Sequence, residues 1–312
     1  MRRLLNSDWF GLAVLVVATV AALTIARPDF MSSFNIFVLL DTLALSTLIA
    51  LSQMVVIALG QMNLSVGAIG GLVAVSFAGA MQVWGLPPIL AVPAGLLLGG
   101  VCGLFNGVMT ARAGLSAFIV TLATMAAFKG INLGITEAQP FYGIPQVVKA
   151  AGNAAVGPVP LLLLPAAVSA GAVGWMLARL PIGRQILAVG GNLHAAELSG
   201  ISISRAIIVT HVLSGALAAA AGMMAVARLQ LGQPTIGDDW LIPSFAAPVI
   251  GGTLLSGGHA SVSGTIAGVA LVTLISQGLV LFRVDPYYVQ LLLGLLILVA
   301  VGLARMRSAQ VA

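Results

Sequence analysis

Charged residues are scarce in this chain of 312 residues, because Asp, Glu, Lys and Arg together make up only 7% of it. An ordinary soluble domain carries about 25% charged residues, so a chain this poor in charge cannot solvate a globular surface. Hydrophobic residues account for 60% of the sequence. Most of the surface is therefore expected to face lipid, and the sequence predicts an all-α membrane protein.

Cysteine is also nearly absent, and Cys102, inside an apolar run, is the only one. A single cysteine excludes an intrachain disulfide and a metal site built on cysteines. No serine, histidine and acid are placed to suggest hydrolysis, and no histidine spacing suggests a metal. We therefore expect no catalytic residue, no metal and no cofactor in this chain.

The formal net charge of +5 does not indicate a nucleic-acid partner. The 13 basic residues are scattered over the whole chain, and positive charge at helix ends orients a membrane protein. Glycine is plentiful, with 37 residues. Small side chains let helix backbones approach closely in a membrane, so this abundance predicts tight helix packing in a lipid bilayer.

Apolar runs divide the chain into ten predicted transmembrane helices, since about 20 apolar residues cross a bilayer as a helix. The predicted spans cover residues 10–26, 35–59, 65–83, 89–110, 117–135, 159–178, 206–228, 242–256, 262–282 and 287–304. The eighth span is short and is interrupted by Pro243 and Pro248. The first span also fits a signal peptide, but the membrane-embedded chain that follows it favours a helix that is retained.

The basic residues predict that both termini are cytoplasmic, because cytoplasmic loops carry an excess of Lys and Arg. In this orientation the cytoplasmic bases are Arg2, Arg3, Arg112, Arg179, Arg184, Arg205, Arg305 and Arg307. The bases on the other side are Arg27, Lys149, Arg228 and Arg283. We interpret residues 1–312 as one transmembrane domain. Two of its loops are long, an extracytoplasmic loop over 136–158 and a cytoplasmic loop over 179–205.

The chain also divides into two halves that fit an inverted repeat of spans 2–5 and 7–10. Residues 63–71 (Asn-Leu-Ser-Val-Gly-Ala-Ile-Gly-Gly) open the third span, and a stretch rich in Gly and Ser over 251–268 joins the eighth and ninth. Since the two sets lie five spans apart, the halves would be inverted, which is a recurring transporter design. Glycine-rich turns also recur by chance, so a chain without internal symmetry stays open.

The cytoplasmic loop over 179–205 is the most polar segment and predicts a short helix along the membrane surface. Gly190-Gly191 is expected to break any preceding helix, and Asn192 is a good N-cap. Residues 194–199 can make two turns before Gly200, a natural C-terminal stop. Leu193, Ala196 and Leu198 would be available for packing. The segment is either a mere connector or a rigid peg that docks into a partner protein and transmits its motion.

Several short motifs occur along the chain, and their order and spacing are informative when they are taken together. The loop carries Gly183-Arg184, residues 188–192 (Ala-Val-Gly-Gly-Asn), Ala195-Ala196 and residues 199–201 (Ser-Gly-Ile). Elsewhere stand residues 63–67 (Asn-Leu-Ser-Val-Gly), Asn106-Gly107, residues 118–122 (Phe-Ile-Val-Thr-Leu), Ala227-Arg228, Gln233-Pro234, Gly237, residues 251–253 (Gly-Gly-Thr), Gly257-Gly258 and Gly264-Thr265. Together, from about residue 28 to 302, these motifs resemble the sugar-type ABC importer permeases, the ribose/xylose/arabinose permease family. Asn63 stands where that family usually has an acid.

The resemblance implies a cobalamin-importer-like permease bundle in a bacterial-type inner membrane. It implies a dimer with a second permease copy or homologue, ATP-binding cassette subunits on the cytoplasmic side, and an extracytoplasmic solute-binding protein. This chain has no phosphate-binding loop of the Gly-x-x-x-x-Gly-Lys-Ser/Thr type, so ATP must be hydrolysed by a partner. The implied coupling helix, which would sit in a groove of the ATPase, consists of Asn192, Leu193, His194, Ala195, Ala196, Glu197, Leu198 and Ser199.

Polar residues within the spans are candidates for lining a translocation path, because a charge inside a bilayer normally faces an interior or a cavity. The candidates are Asp41, Asn63, Asn106, Lys129 and Asn132. Lys129 is expected to pair with Asp41 across the bundle. Hydrogen bonding between helices is the alternative role for such residues, and we favour it for Gln53 and Gln277. His211 is expected to be packed rather than catalytic.

The sequence thus predicts the transmembrane subunit of an ATP-driven importer, which conducts a monosaccharide or related small polar solute from a binding protein into the cytoplasm. A nucleoside or a furanosyl signalling molecule is an alternative cargo. An ATP-independent secondary transporter is a different class of alternative, although the spans lack the series of carboxylates that a proton relay needs. An intramembrane enzyme is disfavoured because no catalytic constellation is present.

Overall fold

The computed structural model describes residues 10–285, together with 288, 291, 294, 295 and 298. The regular secondary structure of this part of the chain is helical apart from two strands of two residues each. Six of its helices are long and apolar enough to cross a membrane, or seven if one bent pair is counted as a single span. The predicted all-α membrane architecture is confirmed, whereas the count of ten spans is not; the tenth, at 287–304, lies largely outside the described residues.

The twelve described helices are numbered here in chain order. They are α1 (Phe10–Ala26), α2 (Ser33–Ala58), α3 (Val66–Val83), α4 (Pro88–Arg112), α5 (Ala117–Thr136), α6 (Gln146–Asn153), α7 (Leu163–Arg179), α8 (Pro181–Gly191), α9 (Leu193–Leu198), α10 (Ile203–Leu229), α11 (Leu241–Ile250) and α12 (Val262–Leu281). A short 3-10 helix covers Pro28–Met31, and strands β1 (Ala155–Val156) and β2 (Val159–Pro160) pair antiparallel. Each predicted span up to residue 282 contains one of these helices.

The eighth predicted span is wrong in length, since α11 ends at Ile250 and not at residue 256. Pro248 lies inside α11, and the chain turns directly after the helix, where Thr253 N donates to Pro248 O over 2.9 Å. Gly252 adopts a φ of +87° in this turn, which a side chain would disfavour. At 10 residues, α11 is too short to cross a bilayer alone.

Helix α10 is the central element, and its 27 residues extend about 40 Å at 1.5 Å per residue. It runs antiparallel to α4, whose glycines at 99, 103 and 107 let the two backbones touch. A Cβ added at Gly103 would lie 2.1 Å from His211 O, so only glycine fits this approach. Residues 47–58, at the end of α2, are buried against the same core.

The two predicted loops contain regular structure. Residues 136–158 include α6 and β1, and Gly152 in α6 packs against the backbone of Ala227 near the end of α10. Residues 179–205 form α8 and α9, and α7 and α8 meet at an angle of 73°. Because α9 lies near the start of α10 and α6 near its end, we call the two ends of the bundle the α9 end and the α6 end.

Candidate functional site

Two interruptions of the helices organise the interior of the bundle. The first break is residues 59–65, between α2 and α3, and the second break is residues 230–240, between α10 and α11. Their backbone groups lack helical partners and must be satisfied by other groups, because the bilayer core offers no water. Irregular backbone at membrane depth is tolerated only inside protein or beside a cavity, so both breaks are candidates for function.

A network of fully buried polar side chains holds the first break. Asn63 Nδ2 donates to Ser214 Oγ over 3.0 Å, and Asn63 Oδ1 accepts from Ser65 Oγ over 2.7 Å and from Ser65 N over 3.0 Å. Asn106 Nδ2 on α4 donates to Ser65 Oγ over 2.9 Å. Two predicted path residues, Asn63 and Asn106, are therefore joined through Ser65, and both have no solvent exposure.

Four more side chains make hydrogen bonds around this network. When the Gln53 amide is oriented to match the donor and acceptor around it, its nitrogen donates to Asn63 O over 2.9 Å and its oxygen accepts from Asn63 N over 3.3 Å. Ser52 Oγ lies 3.2 Å from Ser214 Oγ, and His211 Nε2 lies 3.1 Å from Gln61 Oε1. His211 is fully buried, which agrees with its predicted packing role.

A cavity of about 410 Å³ borders the first break at the α9 end. Gly60, Gln61 and Met62 form one wall, and the turn between α4 and α5 forms another. Thr110 also lines the cavity, and its buried hydroxyl oxygen has no hydrogen-bond partner within the described part of the chain.

The second break is held by α5. Lys129 Nζ donates to Pro234 O over 2.8 Å and forms an ion pair with Asp238. Asn132 Nδ2 donates to the same carbonyl, Pro234 O, over 3.1 Å. The predicted path residues Lys129 and Asn132 are therefore close together and fix the course of the second break.

The predicted pairing of Lys129 with Asp41 is wrong. Asp41 Oδ2 lies 2.6 Å from Arg228 Nε, and Arg228 Nη2 donates to Thr42 Oγ1 over 3.0 Å. The reason is geometric, because Arg228 ends α10 beside α2, whereas Lys129 on α5 faces the second break. The ion pair of Asp41 thus links α2 to the last turn of α10, directly before the second break.

The two breaks belong to one packed unit. A Cβ at Gly67, just after the first break, would lie 2.1 Å from Gly237 O in the second break. Gly237 has a φ of +93°, and a Cβ there would lie 2.1 Å from Gly67 O. A Cβ at Gly71 would lie 2.3 Å from Ile236 O, which is a third close approach between the two segments. The two breaks are therefore in direct backbone contact.

A cluster of close-packed glycines connects the first break with the segment over 179–205. A Cβ at Gly190, in the last turn of α8, would lie 2.1 Å from Ala58 O at the end of α2 and 2.7 Å from Gly258 N. Gly258 N also donates to Ala58 O over 2.9 Å. Gly257, at a φ of +85°, packs against Gly60 and Gly190. We call these four glycines, Gly60, Gly190, Gly257 and Gly258, the glycine seam.

Helix α9 itself is capped as predicted, since Asn192 Oδ1 accepts from Ala195 N over 2.9 Å and Gly200 adopts a φ of +75°. Ala196 is buried and shares an apolar cluster with Leu59 of the first break and with Ile186 and Val189 of α8. The other seven predicted coupling residues are exposed, including Leu193 at 53% and Leu198 at 78%. One face of α9 thus packs on the bundle, and the other is open.

Sequence reasoning missed Ser52, Ser65 and Ser214, which link the helices around the first break. A serine in an apolar span is common and gave no local signal. It also missed Asp238, because a partner for Lys129 more than 100 positions away leaves no trace in a single sequence. Within the described part of the chain, no three His, Cys, Asp or Glu side chains are grouped as a metal site.

Comparison with known proteins relates this geometry to a family. Residues 35–301 match the family described as branched-chain amino acid transport system / permease component. The ribose import permease protein RbsC of Bacillus subtilis is 37% identical over 306 residues, which are 96% of this chain and 92% of the relative. The D-allose transport system permease protein AlsC of Escherichia coli is 32% identical and covers 96% of this chain and 93% of the relative.

A third relative, the fructose import permease protein FrcC of Rhizobium meliloti, is 34% identical and covers 94% of this chain and 83% of the relative. No solved structure matches the chain. The resemblance to sugar-type ABC importer permeases that the motifs suggest is confirmed by these relatives. Because the family match covers most of the sequence, this chain belongs to the branched-chain amino acid transport system / permease component family.

Proposed function

We propose that this chain is the transmembrane subunit of an ATP-driven importer and conducts a monosaccharide into the cytoplasm. The relatives named for ribose, D-allose and fructose support a monosaccharide as the cargo. The different sugars in these names leave the particular monosaccharide open. The chain forms one permease domain, and ATP is hydrolysed by a partner subunit.

The observation that carries the coupling part of this proposal is the contact between α9, the glycine seam and the first break. A partner that pushes on the open face of α9 would move α8, because Ala196 packs on Ile186 and Val189. The glycine seam leaves no space between α8 and the end of α2, so the push reaches the first break directly. Movement of packed elements against one another is one way in which small displacements become larger movements.

The partner on this face is an ATP-binding cassette subunit, and the α9 end is cytoplasmic. Leu193 and Leu198 supply the apolar anchors of the docking surface, with His194 and Glu197 between them. A solute-binding protein then delivers the sugar at the opposite, extracytoplasmic α6 end. A second permease copy or homologue completes the complex in the inner membrane.

The translocation path follows α10 and is controlled by the two breaks. Cavities lie beside each break, and α10 contributes Ile207 to one of them and Ala225 and Leu229 to the other. Asn63 and Asn106 act at the first break, whereas Asp41, Lys129 and Asn132 act at the second. Transport requires that the contacts around Gly67 and Gly237 separate in turn.

The order of elements also supports the inverted repeat within a ten-span, cobalamin-importer-like bundle. If spans 2–5 correspond to spans 7–10, then α2 corresponds to α10, and the first break to the second. The sequence analysis matched residues 63–71 with residues 251–268, and this correspondence does not fit the order of helices. Residues 251–258 follow α11, so their counterpart in the first half is the turn after α3 and not the first break. Two equivalent breaks entering from opposite ends suit alternating access.

The proposal is tested in proteoliposomes that contain this chain, its ATP-binding partner and its binding protein. We expect the sugar-loaded binding protein to stimulate ATP hydrolysis, and the purified chain alone neither to hydrolyse ATP nor to transport. Replacing residues 192–199 with a Gly/Ser linker should abolish the stimulation. Leu193→Ala with Leu198→Ala should weaken it, whereas Leu104→Ala, at an exposed leucine of α4 outside both cavities, should not.

Transport by the isolated chain without ATP would instead establish a secondary transporter. Stimulation that persists with the Gly/Ser linker would contradict the coupling role of α9. Uptake of a nucleoside or a furanosyl signalling molecule in place of a monosaccharide would keep the mechanism and change the cargo.

A further inference from the structure

A second cavity, of about 320 Å³, lies beside the second break. Residues 233 and 235–240 of the break form much of its lining, and α2 and α10 contribute aliphatic side chains, Leu45 and Leu229. This volume falls at the lower limit of the roughly 300–1,000 Å³ of small-molecule sites. We call it the second-break cavity.

The lining of the second-break cavity combines two kinds of surface. Leu45 and Leu229 are aliphatic, whereas Gln233, Thr235, Asp238 and Asp239 offer an amide, a hydroxyl and two carboxylates. A monosaccharide ring has the same two-sided chemistry, because its C–H groups are apolar and its hydroxyls donate and accept hydrogen bonds. A mostly apolar pocket with a few converging polar groups is the usual form of such sites.

The two carboxylates differ in their surroundings. Asp238 is compensated by its ion pair with Lys129. Asp239 is exposed, and its carboxylate has neither an ion pair nor a hydrogen bond within the described part of the chain. An ionised carboxylate accepts hydrogen bonds at both oxygens, so Asp239 can take two donors from adjacent hydroxyls of a neutral ring.

The cavity is also preorganised, which lowers the cost of ordering its groups on binding. Lys129 and Asn132 both hold Pro234 O, and Gly232 exchanges two backbone hydrogen bonds with Phe141, of 2.8 and 2.9 Å. Gly237 is locked against Gly67 at the other end of the segment. The polar groups at 233–239 therefore project from a backbone that is fixed on both sides.

We propose that the second-break cavity is a transit subsite on the permease itself, where the monosaccharide binds after it leaves the binding protein. This inference rests on the proposed importer function. Asp239 and Thr235 hydrogen-bond the sugar hydroxyls, and Leu45 and Leu229 contact its C–H face. Affinity at such a site must be weak, because a conducting site has to release its solute, and a Kd of about 1 mM is expected.

The experiment first identifies which of D-ribose, D-allose, D-fructose and L-arabinose the reconstituted complex transports. The transported sugar, in tritiated form, is then bound to the complex in nanodiscs without the binding protein. Asp239→Asn removes a charged acceptor and should weaken binding about tenfold, the effect of losing a charge-assisted hydrogen bond. Thr235→Val should weaken it less, and Asp29→Asn, the same change at an exposed site outside the cavity, should leave it unchanged.

Outcomes for the subsite and for the importer function are separable. If the wild-type complex transports a sugar that does not bind to the nanodisc complex, the subsite is disproved and the importer function stands. Equal binding by wild type, Asp239→Asn and Thr235→Val disproves it as well. If none of the four sugars is transported with ATP, the proposed monosaccharide function fails first. The thermal midpoint of each variant shows whether it is folded.

Discussion

Asn63 is the residue on which the first break most depends, because its buried side chain makes three hydrogen bonds. A neutral amide suits this position because it can donate to Ser214 as well as accept from Ser65. An ionised carboxylate could only accept, and its charge would be buried without a cation among the side chains described around it.

Asn63→Ala is therefore expected to destabilise the protein. It leaves the buried Ser65 and Ser214 groups without their partner, which costs about 1–3 kcal/mol for an unsatisfied buried group. Thermal unfolding of the purified protein in detergent measures this effect. Asn153→Ala, at an exposed asparagine in α6, is the matched control and should not change the midpoint. Equal midpoints for both variants would show that the network does not hold the break.

The ion pair between Asp41 and Arg228 makes a second prediction at the residue scale. Asp41 has 5% side-chain exposure and Arg228 30%, so Arg228→Gln leaves a nearly buried carboxylate without its cation. The free energy of unfolding should fall by about 3 kcal/mol, which is the lower limit for breaking a fully buried ion pair. The double variant Asp41→Asn with Arg228→Gln should recover part of it, because no charge is left unpaired.

A double-mutant cycle of thermal midpoints, with Asp41→Asn as the fourth protein, gives the coupling energy of this pair. Additive effects of the two single variants would mean that the two residues do not interact.

At the scale of helices, the sequence was informative wherever the signal is local. Apolar runs located one helix in each predicted span up to residue 282 but not α6 or α8, and the caps at Asn192 and Gly200 follow from their own chemistry. The second break was not foreseen, because residues 230–240 differ from a surface loop only in what packs on them. The contacts that define it, with Gly67, Lys129 and Phe141, all come from distant parts of the chain.

The predicted site shows the same limit. Residue type alone selected the five candidate residues, since polar groups inside a bilayer need a partner. Which partner each residue has depends on the order of helices around α10, and a single sequence does not contain that order. The sequence therefore selected Lys129 and Asp41 as candidates but paired them with each other, whereas each bonds to a different segment near the second break.

Two adjacent glycines in α8 provide the sharpest test at this scale. A Cβ at Gly190 would lie 2.1 Å from Ala58 O, whereas a Cβ at Gly191 would have its nearest contact at 3.6 Å, an ordinary distance. Gly190→Ala should therefore push α8 away from the first break and reduce the stimulation of ATP hydrolysis by the loaded binding protein. Gly191→Ala should leave it unchanged, although the two substitutions change helix propensity equally.

The stimulation of ATP hydrolysis by the loaded binding protein is measured for both variants in the reconstituted complex. Basal ATP hydrolysis in the same complex shows that the partner subunit is intact. If Gly190→Ala and Gly191→Ala are stimulated to the same extent, the glycine seam does not transmit the motion of α9.

At the scale of the whole molecule, the distribution of charge does not by itself orient the described part of the chain. Arg112, Arg179, Arg184 and Arg205 lie toward the α9 end, and an equal number of bases, Arg27, Lys149, Arg228 and Arg283, lie toward the α6 end. The predicted excess of cytoplasmic bases comes from residues 2, 3, 305 and 307, which lie outside the described residues. Orientation therefore needs a direct measurement.

The single cysteine makes that measurement simple. In a Cys102→Ala background, Leu198→Cys places a thiol on the α9 end, and Val156→Cys places one on the α6 end, where the original side chains are 78% and 73% exposed. A membrane-impermeant maleimide should label position 156 in intact cells and position 198 only after permeabilisation. The background variant should not be labelled. Co-expression of the ATP-binding subunit should then protect position 198, because the partner covers α9, and leave position 156 reactive. Labelling of position 198 in intact cells would reverse the orientation and remove the ATPase from the α9 end, since ATP is available only in the cytoplasm.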